Sequence, residues 1–387
     1  MRIIHIMLSQ YYVDNYNYQE NILPRIHKDD GNDVMILAST ATYINNLRLG
    51  YLKSGRYINE DGIQVIRIHH SLFLNNAISS KIRRYPETYK LLEEFSPDVI
   101  FCHGLMTYEI KTIVQYKKKH DDVTLFFDSH ADFNNSASNF FSRKIIHGIF
   151  YKNLIAAILP SVDKILCVTQ ESIIFLKNMY GIPSNKLKLY PLGGEILESN
   201  LRQSKRNVLR SMLNLKSSDI LIIHCGKMTK YKRTLEIVAA FKNVTDKKMR
   251  LILIGSMDRE LEISIDESVK QDPRILKMGW KEPSELVDYF CAGDLYIQPG
   301  SQSVNMQHAI CYGCAAALYP HESHKSLLGD KVFYVETIND MELLFKEISE
   351  SRDSLENMRK RSFEFAREKL DYKKLAAIVY QVSHKRI

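Results

Sequence analysis

The sequence has no apolar stretch approaching the about 20 residues that a bilayer-spanning helix requires; its apolar runs, such as 251–254 and 315–318, are short. A spanning segment is therefore not expected. Cysteine is sparse, at six residues, and only Cys311 and Cys314 form a C-x-x-C spacing. No second pair or His-x-x-x-His completes a zinc site, which points to small buried thiols in a reducing compartment. Three nucleotide signatures are missing as well. Without G-x-G-x-x-G a dinucleotide-binding turn is not supported, and without G-x-x-x-x-G-K-[ST] a Walker-type ATPase is not supported. No Asp-x-Asp stands in a convincing loop, so neither a divalent metal nor a separate cofactor is expected.

Dense basic blocks interleaved with aromatics are also lacking, which argues against nucleic acid as a partner. The net charge of +8 is instead dispersed, with modest clusters at 81–84, 117–119 and 230–233. Such an excess suits phosphorylated ligands or an anionic membrane surface. The opening octet Met1-Arg-Ile-Ile-His-Ile-Met-Leu8 runs directly into polar residues. It reads as a first strand rather than a signal peptide, and a cytoplasmic protein is expected.

What is present is alternation. At 387 residues the chain is long for one core and suits two α/β domains. Strand-like runs at 2–8, 34–38, 64–68, 98–102, 124–128, 164–168 and 188–190 alternate with helical patterns at 18–30, 79–95, 108–120 and 143–159, and from 170. After a charged, helix-prone connection at 200–216 the pattern restarts, with strands at 220–225, 251–255, 275–279, 295–298, 315–319 and 332–335. Helical segments close the chain near 341–349, 351–369 and 372–383. Crossover-length helices between consecutively apolar strands imply parallel sheets covered on both faces. In such sheets ligands lie beyond the carboxyl ends of the strands.

Those ends carry the chemistry. The first loop, 9–21, is rich in aromatic and hydrogen-bonding groups, including Tyr18, Gln19, Glu20 and Asn21. His103 and His130 each follow a strand, where an imidazole can bond a hydroxyl or move a proton. In the second half, Gly226 opens a strand-to-helix turn that carries Lys227 and Lys232. Two ammonium groups there can neutralise a departing diphosphate. Gly300, Ser301, Gln302 and Ser303 offer donors at an expected helix start, followed by Gln307 and His308.

In order and spacing these segments resemble GT-B glycosyltransferases, specifically the family 4 enzymes of bacterial surface-polysaccharide synthesis. The resemblance covers nearly the whole chain and is strongest from 220 to 317. Gly226-Lys-Met-Thr-Lys-Tyr-Lys232 looks like the family's diphosphate-holding segment. Leu251-Ile-Leu-Ile-Gly255 looks like its strand ending in glycine, and Met278-Gly279-Trp280 like the segment beside the donor base. His130 matches the histidine at the acceptor–donor junction.

The resemblance implies two Rossmann-like domains facing across a cleft: 1–199 for the acceptor, 200–370 for a nucleoside-diphosphate-sugar, and 371–387 packing back on the first. It implies His130, Lys227 and Lys232 as catalytic residues. Donor contacts would come from Gly226, Gly255, Gly279, Trp280, Gly300, Ser301, Gln302, Ser303, Gln307 and His308. Acceptor contacts would come from Tyr18, Gln19, Glu20, Asn21 and His103. The acceptor is expected to be a glycan or a lipid-linked one, with the protein peripheral on the inner face of the cell membrane through Lys81–Arg84, Lys117–Lys119 and Leu72, Phe73 and Leu74. The family's two glutamates, eight positions apart, fall here on Gly300 and His308. Their replacement leaves two alternatives: a catalytically weakened member that binds nucleotide or glycan, and another two-domain enzyme such as a sugar-nucleotide epimerase.

Overall fold

The computed structural model describes residues 1–44, 48–71, 82–133, 135–137 and 139–383. The chain divides into two compact units, one of 1–191 together with the stretch from Leu375, the other of Leu192–Lys374.

In the first unit the strands are β1 (Arg2–Met7), β2 (Asp33–Ser39), β3 (Ala41–Ile44), β4 (Arg48–Tyr51), β5 (Gly55–Ile58), β6 (Gln64–Ile68), β7 (Val99–Cys102), β8 (Thr124–Ser129), β9 (Lys164–Cys167) and β10 (Leu187–Leu189). Among the described residues they form an eight-stranded sheet in the order β10-β9-β8-β7-β1-β2-β6-β5, with β3 and β4 as a separate hairpin. Side chains alternate between faces along each strand. Ile4 and Ile6 of β1 join one core with Ile100 and Leu125, while Ile3 joins another with Phe101, Phe126 and Leu166. Ala376, Ile378 and Val379 complete that second core.

The expectation of an all-parallel sheet fails at one edge. β5 runs antiparallel to β6, and β3 pairs antiparallel with β4. These strands are short and largely exposed, so no apolar run announces them. The helix expected at 79–95 is interrupted at 83–87 and resumes as Thr88–Phe95, with Pro86 fixing the backbone just before it. Residues 142–158 are helical as expected, but Ser142–Tyr151 is wound as a π-helix.

The second unit holds β11 (Ile220–Cys225), β12 (Met249–Ile254), β13 (Ile275–Gly279), β14 (Leu295–Gln298), β15 (Ala315–Leu318) and β16 (Phe333–Tyr334). They form a parallel sheet in the order β13-β12-β11-β14-β15-β16. The segment read as a connection is the helix Ser199–Met212, part of this unit. Its Arg206 and Arg210 hold the buried Asp294 at 2.5 and 3.1 Å.

Each sheet has one point where the strand order reverses. In the first unit β1 lies between β2 and β7; in the second β11 lies between β12 and β14. Loops diverge there, leaving a crevice at the strand ends.

Candidate functional site

At the reversal point of the first unit lies a cavity of about 570 Å³. It is lined by Ser9 and Gln10 after β1, Gly104–Met106 after β7, His130 after β8, Phe141 just before the π-helical stretch, and His147 and Tyr151 within it. His130 is half-buried. Its Nε2 is buried and makes no hydrogen bond among the described residues, with Glu20 Oε1 3.7 Å away. A buried imidazole nitrogen without a hydrogen-bond partner is a place that a ligand hydroxyl would satisfy if the ring turned toward the cavity. The backbone around it is fixed, since Asn135 Nδ2 donates to the His130 carbonyl at 2.8 Å.

Asp128 and Asp132 stand close to His130 in the sequence. Both serve elsewhere. The Asp132 carboxylate accepts from the Asn135 amide at 2.8 Å, and the Asp132 amide donates to Asn135 Oδ1 at 2.9 Å. Asp128 Oδ2 lies 2.7 Å from His103 Nδ1, and its Oδ1 accepts from the Gly104 amide at 2.9 Å.

His103 is therefore no acceptor residue. It is fully buried, and its Nε2 meets His5 Nδ1 at 3.0 Å. His5 Nε2 in turn meets His27 Nδ1 at 3.0 Å, and His27 Nε2 meets the Ala376 carbonyl at 3.0 Å. Burial holds His5 well below the usual imidazole range and pushes His27 down to about 4. Of the other expected acceptor residues, Asn21 is buried and donates to the Val13 carbonyl at 2.9 Å. Gln19 is buried with both amide atoms lacking partners among the described residues. Tyr18 is exposed and precedes the first helix, and Glu20 keeps part of its surface. Thus Glu20 and Tyr18 remain accessible, whereas Asn21 and His103 do not. His147, which sequence reasoning passed over, lines the same cavity with its Nδ1 2.6 Å from the Tyr180 hydroxyl.

In the second unit, loops after four strands are clasped together at the reversal point. The Gly255 amide donates to the Gly279 carbonyl at 2.7 Å, and the Ser301 amide to the Tyr231 carbonyl at 2.8 Å. Two glycines make this approach possible. A Cβ on Gly255 would lie 1.9 Å from the Gly226 oxygen, and one on Gly300 would lie 2.1 Å from the Tyr231 oxygen. These glycines act on loop shape. Gly300→Ala is expected to force the clasp apart and to cost about 1–3 kcal/mol of stability, as overpacking does. Thermal unfolding of the variant checks this, and an unchanged midpoint would mean that the loops separate freely.

Within the clasp sits Lys232, 9% exposed. No carboxylate lies within ion-pair distance of its ammonium among the described residues. Burial lowers its pKa. The ionisable side chains near it carry no negative charge at neutral pH. Burial pushes the Cys225 thiol up to about 12, and burial pushes His224 down to about 4. A buried, unpaired ammonium is costly unless an anion joins it. Lys227 stands exposed at the other end of the loop. Asn305, not singled out from the sequence, donates to Cys225 Sγ at 3.2 Å and links the loop to the next helix.

The expected helix start at 301–303 is corrected: the helix is Asn305–Cys311, and Ser301, Gln302 and Ser303 precede it. The Ser301 carbonyl accepts from Gln298, and Gln302 donates to Ser323 Oγ at 2.7 Å. Gln307 Oε1 is buried without a partner among the described residues, and burial pushes His308 down to about 4. Trp280 is exposed, with its indole N–H 3.4 Å from Glu282.

The expected membrane contacts fare differently. Leu72, Phe73, Leu74 and Lys81 lie outside the described residues. Arg83 lines the cavity and donates to the Ser9 carbonyl, and Lys117 is buried and donates to the Asp121 carbonyl at 2.6 Å. An unforeseen apolar face stands instead beside the cavity. Phe140, Phe141, Ile145, Ile149 and Phe150 are all exposed, Phe140 at 79%, among the exposed cations Arg143, Lys144 and Lys152.

No family model matches the chain, and no curated protein matches it in sequence. Solved structures match it in fold. The Anabaena HepE protein in complex with UDP has a TM-score of 0.71, covering 100% of both chains at 13% identity. A glycosyltransferase from Rickettsia africae gives 0.67, covering 99% of this chain and 98% of its own at 12% identity. Sucrose-phosphate synthase from Thermosynechococcus elongatus gives 0.65, covering 100% and 98% at 13% identity. At these identities the likeness defines the fold: this chain has the GT-B fold of two Rossmann-like units.

Proposed function

We propose that the chain is a glycosyltransferase that uses a nucleoside-diphosphate-sugar, of the family 4 kind, with metal-independent, retaining transfer to a glycan or lipid-linked acceptor. The observation that carries this reading is Lys232, a lysine largely buried among glycine-clasped loops with no anion beside it among the described residues. A diphosphate supplies that anion, and its charge grows as the bond to the sugar breaks, so the lysine stabilises the transition state more than the ground state. Lys227 adds a second, exposed cation, and Gln307 and His308 offer hydrogen bonds to ribose or sugar hydroxyls. The cavity of the first unit holds the acceptor. As the acceptor hydroxyl forms the new bond to the anomeric carbon, His130 orients it and receives its proton.

HepE has been solved with UDP-glucose, which makes uridine diphosphate sugars the first donors to test. The experiment is a panel of nucleotide-sugars scored for hydrolysis, transfer and epimerisation. Turnover with release of the nucleoside diphosphate is expected for at least one donor. Nucleotide binding without turnover would favour the weakened, ligand-binding alternative, and a changed sugar on an intact donor would favour an epimerase.

The same reading includes a cytoplasmic protein resting on the inner face of the membrane. No helix among the described residues is long and apolar enough to cross a bilayer. The apolar face at 140–150, with Arg143, Lys144 and Lys152, has the composition of an interfacial anchor for anionic lipid. Wild type is expected to float with phosphatidylglycerol vesicles. Phe140→Ser/Ile145→Ser/Ile149→Ser should remain in solution, and flotation unaltered by these changes would remove this face from the proposal.

A further inference from the structure

The buried histidines of the first unit contain a count that can be made without reference to any ligand. Four contacts run in series: Asp128 to His103 at 2.7 Å, His103 to His5, His5 to His27, and His27 to the Ala376 carbonyl, each of the last three at 3.0 Å. Both ends of the series are acceptors, a carboxylate and a carbonyl. Four hydrogen bonds need four hydrogens, and three neutral imidazoles carry only three. Completing the series takes one further proton.

Its place follows from charge. Asp128 is the formal anion in contact with the series, so the proton belongs at that end, shared between Asp128 and His103. Wherever it rides within that pair, the remaining senses are fixed. His103 Nε2–H donates to His5 Nδ1, His5 Nε2–H donates to His27 Nδ1, and His27 Nε2–H donates to the Ala376 carbonyl. Removing the proton reverses this order. Each imidazole then carries its hydrogen on Nδ1, donating toward Asp128, and His27 Nε2 turns a lone pair toward the Ala376 oxygen.

We propose that this single shared proton latches the C-terminal stretch at 375–383 to the first unit, and that its loss as pH rises releases that stretch. The latch joins two functional places. At one end Asp128 Oδ1 accepts from Gly104 N–H, and Gln10 Nε2 lies 3.4 Å away; both residues line the cavity. At the other end Ala376, Ile378 and Val379 cover the core formed by Ile3, Phe101 and Phe126.

The surrounding groups leave the proton count intact. The Cys102 and Cys167 thiols near Asp128 are pushed up by burial and stay neutral. The Tyr380 ring packs against His27, and burial raises its hydroxyl, which donates to Asp30 Oδ2 at 2.8 Å and accepts from Asn32. Asp30 is the other carboxylate acting on His27, and its influence favours protonation there, yet burial outweighs it. His5 and His27 therefore take no second proton near neutrality.

The test is amide hydrogen exchange of the full chain between pH 6 and 9, corrected for intrinsic rates, with unit-two peptides as the internal reference. Protection of 375–383 is expected to fall at least tenfold across the range while the reference holds. His27→Gln keeps a donor for Ala376 and ends the series, so its protection is expected to lose this pH dependence. Nitrogen-15 spectra of wild type at the low end of the range should show His5 and His27 as Nε2–H tautomers. Constant protection in wild type, an unchanged fall in His27→Gln, or Nδ1–H tautomers at both positions would each overturn the proposal. The tautomer measurement stands even if the variant does not fold.

Discussion

His130→Ala is expected to lower turnover by about 10²–10⁴-fold, the range of acid–base catalysis, while leaving donor affinity and melting temperature near wild type. The ring is half-buried beside a cavity and its Nε2 makes no hydrogen bond among the described residues, so little is expected to be lost when it is removed. Glu20, 3.7 Å away, is the carboxylate placed to steady the imidazolium that forms during transfer. Glu20→Gln should therefore reduce turnover less than His130→Ala and shift the pH profile, since it keeps the shape and removes the charge. Rates measured across pH for both variants decide the matter. A loss in His130→Ala that tracks unfolding, or no loss at all, would return the residue to a structural role.

The second large effect is expected at Lys232, with opposite signs for function and stability. Lys232→Met removes a charged hydrogen bond to the diphosphate, worth about 1.5–3 kcal/mol, so transfer should fall by roughly one to two orders of magnitude. Without ligand the same substitution removes a largely buried lysine that has no ion-pair partner among the described residues, and should raise the melting temperature. The pH dependence follows from linkage. The folded-state pKa of Lys232 lies below its unfolded value, so across that window the unfolded chain binds more protons. The lysine's destabilising contribution is thus fully present at neutral pH and fades as the solution becomes alkaline. Lys227→Ala, exposed, should impair transfer without the gain in stability. A Lys232→Met protein that is both fully active and no more stable would place the diphosphate elsewhere.

The features visible in the sequence were those written locally. Apolar runs separated by helix-length segments marked nearly every central strand, because burial on both faces leaves no polar alternation to blur them. Lys232 and His130 were visible because each follows a strand end at a recognisable spacing. Residues whose meaning depends on distant partners were not. His5 sits in an apolar strand and meets a histidine 98 positions away, so nothing near it reveals a chain of imidazoles. Asp128 lies only two residues from His130, but its carboxylate serves His103, 25 positions away. Gly300 and Gly255 looked like ligand contacts, whereas each first accommodates another backbone. The exposed face at 140–150 reads as an ordinary core helix, since apolar spacing alone cannot tell which face meets protein. The hairpin β3–β4 and edge strand β5 are only four residues each and mostly exposed, too short for an apolar run to mark them.

The path of the chain has a further consequence for the order of synthesis. In sequence the second unit is inserted between two stretches of the first, and its own entry and exit are joined by a small bridge: the Gly194 amide donates to the Leu370 carbonyl at 2.9 Å, and the Tyr372 amide to the Gly194 carbonyl at 3.1 Å. All of its strands emerge from the ribosome before Ala376, Ile378 and Val379, which close a core of the first unit. The first unit therefore completes that core only after the inserted half has been made, with Leu23 and Ile26 of the first helix covering part of the same face in the meantime.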